Sequence, residues 1–318
     1  MIIIKSNKIN KIILILSVLV ISVTAISFVS SCVNTGGSNS DAVASEDSFS
    51  KSEIIEEISS VSSLSPEPES VVESGRNFDA NVSGIPVVLY HHILTQDEKN
   101  KSAYKNNEIT TALEEFDSQM KILFENGYKT ITSDTLLKYI NGEIRVPKKS
   151  ILITFDDGYK STTHHAAPVL RKYGFTAINF MFTQDIDIAP TQEFIFNSPV
   201  WQYINREEMN ANSDVYEYAC HMNDPEVHNN IKTSSMTIIE DDIKKSLQTM
   251  PTELFAYPLG FYNNNFINVL KQNNFKMSFT TERGYAKTGV NPYLIPRFTI
   301  LHNTSDNVFL RLIETGVR

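Results

Sequence analysis

The sequence predicts an α/β fold, a distorted (β/α)7-type barrel, on three observations. From residue 85 to residue 318, short apolar strands alternate with stretches of helical period, the pattern of a parallel sheet with crossover helices. Seven or so such units in a segment of this length favour closure over an open sheet. Side chains with chemical potential, His91, Asp156, Asp157, His221 and the run Pro258 to Gly260, all fall where a strand ends and a loop begins. Barrels of this kind keep their working residues at those places.

The elements follow in chain order. Lys5, Lys8 and Lys11 precede an apolar run from Ile12 to Val29, which leads into Val29-Ser30-Ser31-Cys32. A basic start, an apolar stretch and small residues make an export signal. The Cys after two small residues resembles the lipobox of bacterial lipoproteins. By that resemblance residues 1–31 are removed, Cys32 is the lipid-attachment site, and the rest is held on the outer face of the cell membrane. An uncleaved membrane anchor is the alternative reading. Residues 32–84 are rich in Ser, Glu, Val and Pro and hold ten acidic against two basic residues, a composition that predicts a disordered tether.

Residues 85–318 carry 27 acidic and 23 basic residues, so the folded part is near balance. The whole chain is at −9, which argues against a nucleic-acid partner. With only Cys32 and Cys220 there is no disulfide framework, and Cys220 reads as a small buried residue.

Ile85–Tyr90 is the first predicted strand. Thr111 is expected to cap a helix, with Glu114 three residues on and an apolar stripe through Leu113, Phe116, Met120 and Leu123. Lys129 to Ile131 reads as a strand, followed by a helix capped by Ser133. Ile151-Leu-Ile-Thr-Phe155 is a buried strand ending in Asp156-Asp157-Gly158. An Asp-Gly hairpin turn is the plain alternative, but Ser161 to Tyr173 reads as helix, not as a returning strand. Thr176 to Phe182 is a strand, and Ser198-Pro199 is expected to open a helix containing Trp201 and Ile204. Val215 to Cys220 is a strand running into His221. Ser235 to Met250 is a helix with Ile238, Ile239, Ile243 and Leu247 inward. Leu254 to Tyr257 is a strand, Asn265 to Asn274 a helix, Lys276 to Thr280 and Ile295 to Ile300 strands, and Ser305 caps a last helix that Gly316 stops.

Two adjacent carboxylates beside an apolar strand are costly unless their charge is used. Imidazole with carboxylate suits a divalent metal of the zinc type, with cobalt or nickel as alternatives. Such an ion acidifies water and polarises a carbonyl, a second carboxylate can take the water's proton, and a histidine opposite can protonate a leaving group. Together they describe metal-assisted hydrolysis of an amide or ester. A glycosidase would need two carboxyls about 5–9.5 Å apart across one sugar, which neighbouring Asp156 and Asp157 are badly placed to supply.

Thr154-Phe-Asp-Asp-Gly-Tyr159 resembles the first motif of the polysaccharide deacetylases, the carbohydrate esterase family 4 or nodulation-protein-B homology domain. The resemblance covers about residues 85–318. Ile85-Pro-Val-Val-Leu-Tyr-His-His-Ile93, Phe116-Asp-Ser-Gln-Met120, Gly127-Tyr128 and Phe255-Ala-Tyr-Pro-Leu-Gly260 resemble the branch of the bacterial poly-N-acetylglucosamine deacetylases. The resemblance implies that Asp157, His221 and His228 bind the metal, that Asp156 is the catalytic base, and that His91 is the acid. It further implies that Tyr257, Pro258 and Gly260 shape the substrate groove and that the Tyr159 amide helps hold the oxyanion. The implied enzyme removes N-acetyl groups from a cell-surface N-acetylglucosamine polymer, as a monomer. The implied alternatives are an O-acetyl esterase of xylan type or a glycan-binding lipoprotein with a decayed site.

One departure stands out. The family's second motif keeps its histidines three or four residues apart, whereas here six residues separate His221 from His228 and Met222 replaces a Ser or Thr. Asp224-Pro225 could bulge the loop so that His228 still reaches the metal; otherwise Asp224 or Glu226 is the third ligand. His92, His164, His165 and His302 are expected to pack or to be solvated, and Arg297 is expected to orient the base as a charge partner or to sit in a surface ion pair.

Overall fold

The computed structural model describes residues 84–317. The predicted export signal, the predicted lipid-attachment site Cys32 and the predicted tether up to residue 83 all lie outside the described residues. Eleven strands are present among them. They are β1 (Ile85–Tyr90), β2 (His92–Leu94), β3 (Thr110–Ala112), β4 (Lys129–Thr130), β5 (Ser150–Phe155), β6 (Ala177–Phe182), β7 (Tyr216–Met222), β8 (Leu254–Ala256), β9 (Met277–Phe279), β10 (Tyr285–Ala286) and β11 (Phe298–Thr299).

The main sheet runs β10-β1-β5-β6-β7-β8-β9, with β11 also on β1 and β4 on β5. All its pairings are parallel except the antiparallel β1–β10 contact. The stretch 295–300 touches both ends of the parallel run: Ile295 bridges Phe279, and Phe298 and Thr299 pair with Val88 and Leu89. The sheet therefore curls into a distorted barrel, as the alternation of strands and helices predicts.

Strand periodicity sorts the side chains into two faces. Val87, Leu152, Ile178, Phe180, Ala219, Leu254, Ala256, Met277, Phe279 and Ile295 fill the interior. Val88, Tyr90, Ile151, Ile153 and Phe155 point outward under the helices Leu113–Glu125, Ala167–Tyr173 and Asp306–Thr315. Cys220, Met222 and Phe255 point outward under Met236–Thr249 and Asn264–Gln272. Each fully buried aliphatic or aromatic side chain contributes about 1.5–3 kcal/mol, enough collectively to hold a few charges at the mouth. The same alternation carries Val87 and Leu89 on to His91, Leu152 and Thr154 on to Asp156, and Ala219 on to His221. Three site residues thus inherit the interior-facing register at the carboxyl ends of their strands.

Several predicted elements differ in place. Thr111 is not a cap: it lies in β3, which pairs with β2 in a small second sheet, and the helix begins at Leu113. Thr132, not Ser133, caps the next helix by accepting from the Thr135 amide. Ser198-Pro199 opens no helix. That segment is irregular, with bends at Pro199 and Val200, and Asn205 caps the helix Arg206–Ala211 instead, with Glu208 completing the capping box. Ile238 is half exposed, not inward. The helices Gln96–Lys101 and Pro225–Asn229 were not predicted.

Candidate active site

Asp156 ends β5 pointing into the barrel mouth, where it is 2% exposed. Arg297, fully buried, meets it with both terminal nitrogens, Nη1 to Oδ1 and Nη2 to Oδ2, each at 2.7 Å. The guanidinium is itself fixed: Nε donates to the Thr280 carbonyl at 2.8 Å, Nη1 also reaches Thr154 Oγ1 at 3.3 Å, and the group lies over the Phe180 ring. Arg297 is therefore the interior charge partner of Asp156, not a surface ion. Burial alone pushes the Asp156 carboxyl up, but Arg297, with His221 and His91 nearby, holds it below the usual range. The carboxylate stays ionised, and with about four lone-pair directions and two spent on Arg297 it can still accept a proton.

Asp157 turns away from its neighbour because its backbone is left-handed, φ 72°. That conformation is uncommon for a side chain other than Gly and Asn, and such strain gathers at functional sites. Gly158 continues it at φ 65°, and a Cβ there would lie 2.8 Å from Met181 Sδ, so the tight turn requires glycine. The pair of carboxylates is split by this turn: one faces Arg297, the other faces two imidazoles.

His221 Nε2 stands 3.4 Å from Asp157 Oδ1, and His228 Nε2 3.9 Å from the same oxygen. His221 Nδ1 is 2.9 Å from the Ala256 carbonyl, which can only accept, so that nitrogen carries the proton and Nε2 is the free donor atom. His228 Nδ1 is paired with Asn229 Oδ1 at 3.1 Å, with the same consequence. Phe182 packs against both rings. Burial opposes charge on His221, but its bond to Asp157 and the charge of Asp156 raise its pKa. Burial and the neighbouring His221 lower His228 to about 4. Burial pushes Asp157 up, yet His221 and the surrounding imidazoles bring it far down.

One carboxylate oxygen and two imidazole nitrogens, all within 4.8 Å of one another, form the one three-ligand cluster among the described residues. The donor set, the tautomers fixed from behind and the buried surround fit a divalent ion of the zinc type. His228 reaches the site despite its long spacing. Pro225 starts a one-turn helix, Asp224 caps it by accepting from the Glu226 amide, and His228 lies in its last turn. Asp224 is thus a cap, and of the alternatives the sequence leaves open it is His228 that lies beside Asp157 and His221. Asn229, which orients His228, carried no signal in the sequence beyond its position.

His91, partly buried, sits close enough to Asp157, Asp156 and His221 to feel their charges, and burial lowers its pKa. Its Nδ1 is buried with no hydrogen-bond partner among the described residues. Tyr159 is buried beside Trp201, Tyr203 and His92, and its backbone bridges Tyr203. Tyr257 and Pro258 are buried too; the Tyr257 hydroxyl bonds Ser278 and the Tyr293 carbonyl, so both brace the loop from within. What this motif presents outward is Leu259, half exposed at φ 54°, followed by Gly260 at φ 68°.

The remaining candidates lie apart from the cluster. His92 is wedged between Tyr104, Tyr159 and Trp201, and burial takes it down to about 3. His164 and His165 pack on Phe194. His302 pairs with Asn303. Cys220 is buried against Ser246, and burial pushes its thiol up to about 12. Beside the cluster a cavity of about 210 Å³ opens between Phe182, Asp185, Trp201, Tyr203 and Pro225.

Comparison with known proteins agrees with this geometry. Residues 143–278 match the family model described as polysaccharide deacetylase, a span that includes Asp156, Asp157, His221 and His228. The chain is 29% identical over 218 residues to the poly-beta-1,6-N-acetyl-D-glucosamine N-deacetylase of Staphylococcus aureus, covering 63% of this chain and 69% of the relative. Among solved structures, the Streptococcus pyogenes deacetylase PplD in complex with acetate superposes with a TM-score of 0.60 at 23% identity, covering 72% of this chain and 97% of that one. IcaB from Ammonifex degensii does so at 0.60 and 21%, covering 73% and 98%. These two likenesses establish the fold. Residues 143–278 thus match the polysaccharide deacetylases, a family of hydrolases, and the chain as a whole resembles the poly-N-acetylglucosamine deacetylases among them.

Proposed function

We propose that this protein is a metal-dependent N-deacetylase of an N-acetylglucosamine polymer at the cell surface. One observation carries the reading: two sequence neighbours, Asp156 and Asp157, are turned to opposite tasks, one paired with Arg297 and the other converging with two imidazoles. Asp157, His221 and His228 would hold a divalent ion, zinc by its donor set, and the ion supplies Lewis acidity. The chain's own groups do the rest. Asp156, kept ionised by Arg297, accepts the proton of the attacking water. The Tyr159 backbone amide donates to the oxygen that gains charge. His91 passes a proton to the departing amine. The products are acetate and a glucosamine unit.

The Staphylococcus aureus relative named for poly-beta-1,6-N-acetyl-D-glucosamine supports that polymer as substrate. The basic and apolar start with Ser30-Ser31-Cys32 supports export and a lipid anchor at Cys32, with the acidic tether spacing a monomeric catalytic domain from the membrane. The test is acetate release from a β-1,6-linked N-acetylglucosamine oligomer, with zinc and after chelation, beside an O-acetylated xylan oligomer. Zinc-dependent acetate from the first substrate is expected. Acetate from xylan alone would move the reading to an esterase, and no acetate from either would move it to a glycan-binding role.

A further inference from the structure

The segment that carries His228 is anchored by a group that takes no part in the chemistry above. Asp242 lies in the helix Met236–Thr249, which packs outside the barrel, and is 4% exposed. Its Oδ2 accepts from the Asn223 amide at 2.7 Å and its Oδ1 from the Asp224 amide at 3.1 Å. A nearly buried carboxylate with no ion pair among the described residues is expensive. Here its two oxygens satisfy two consecutive backbone N–H groups between His221 and the one-turn helix that ends in Asn229.

This placement answers the long histidine spacing. A one-turn helix is unstable by itself, because nucleation fixes several dihedrals for very few hydrogen bonds. Asp224 caps it, but a cap orders only the first turn relative to itself. Relative to the barrel, the entry of that turn is fixed from one side by the residues just after β6, where the Gln184 amide donates to the Asn223 carbonyl and Thr183 Oγ1 to Asn223 Oδ1. Asp242 fixes it from the other side.

We propose that Asp242 is the positioning residue for His228, clamping the entry to its helix so that Nε2 is delivered to the Asp157 carboxylate across six intervening residues. The proposal rests on the metal-site reading for its affinity readout but not for its structural one. It assigns to an outer helix a role in the mouth of the barrel, acting through two backbone amides.

The experiment uses the metal-stripped exported chain and zinc alone as the probe, with titration calorimetry on wild type, D242N, H228A and the double variant. D242N is expected to weaken zinc binding about 10- to 100-fold, the range found for groups that orient a ligand. In the H228A background the same change should have no further effect, because Asp242 acts only through that imidazole. Independent, multiplicative losses would overturn the proposal. D242E, which keeps both carboxylate acceptors on a longer stem, should lie between wild type and D242N, and serves if D242N does not fold. A metal-free crystal structure of the variant gives a readout that survives even if wild type binds no zinc. His228 Nε2 should have left the 3.9 Å position beside Asp157, and an unmoved ring would refute the clamp.

Discussion

Replacing Arg297 by Met tests the electrostatic half of the site. The substitution keeps much of the side-chain volume and removes two 2.7 Å charge-assisted bonds to Asp156, the bond to the Thr280 carbonyl and the ring contact with Phe180. Asp156 is then left charged and unpaired in the interior. Breaking a buried pair from one side costs about 3–5 kcal/mol. For a domain of this size that is roughly 10 °C in melting temperature. The pH dependence follows from the sign of the shift. In wild type the Asp156 pKa is depressed, so its contribution is full above the unfolded carboxylate value of about 3.9 and is lost as pH falls through the lower folded value. In R297M the unpaired carboxyl is raised, so its penalty applies above about 3.9 and vanishes below. The gap between the two proteins should therefore be widest near about pH 7, narrow toward about pH 4 as the R297M penalty vanishes, and close only as pH falls through the lower folded value of Asp156. Adding D156N to R297M should recover part of the loss. Thermal unfolding followed by circular dichroism across that range measures it. A gap that does not change with pH, or a melting temperature equal to that of wild type, would refute the assignment of Arg297 as the counter-charge.

Three further outcomes follow from the site. Asp156→Asn should leave zinc affinity near that of wild type and lower acetate release by about 10²–10⁴, since an amide cannot take the proton; retained turnover would remove Asp156 from that role. Zinc affinity should rise with pH through the neutral range and level off above the raised His221 pKa, because protonated imidazole cannot ligate, whereas His228, at about 4, adds slope only in acid. A profile flat across neutral pH would contradict the His221–Asp157 contact. Gly260→Ala should destabilise the fold by about 2 kcal/mol in urea unfolding. Its φ is 68° and a Cβ there would stand 2.0 Å from Thr281 Oγ1. A change under about 0.5 kcal/mol, the range of a neutral surface substitution, would show that this loop relaxes freely.

The parts of this molecule that could be read from residues alone are those written in local periodicity. β5 and β6 are buried along their whole length, and the apolar runs of β5 and β7 lead to Asp156 and His221 in the mouth. Asp156 and Asp157 stand out in the sequence as a motif, but the φ of 72° that turns them toward different partners is a property of the folded turn. Arg297 could be flagged as a partner only because Pro296 precedes it in a late strand; its full burial inside the barrel depends on closure by residues 295–300. Ser198-Pro199 looks like a helix start, yet the segment instead runs beside the loop after Asp157, where the Ile204 amide donates to the Gly158 carbonyl and the Lys160 amide to the Gln202 carbonyl. Those long-range pairings outweigh a local capping preference. Asp242 gave no signal at all, because an acidic residue on an amphipathic helix reads as solvated until the helix is docked.

The central claim is that Asp157, His221 and His228 hold one divalent ion at the barrel mouth. Anomalous diffraction from a zinc-loaded crystal tests it directly. The account predicts a single anomalous peak with both Nε2 atoms at about 2.0–2.1 Å and the Asp157 oxygen at about 2.0–2.2 Å. A peak ligated elsewhere, or one that leaves His228 out of the coordination sphere, would contradict it.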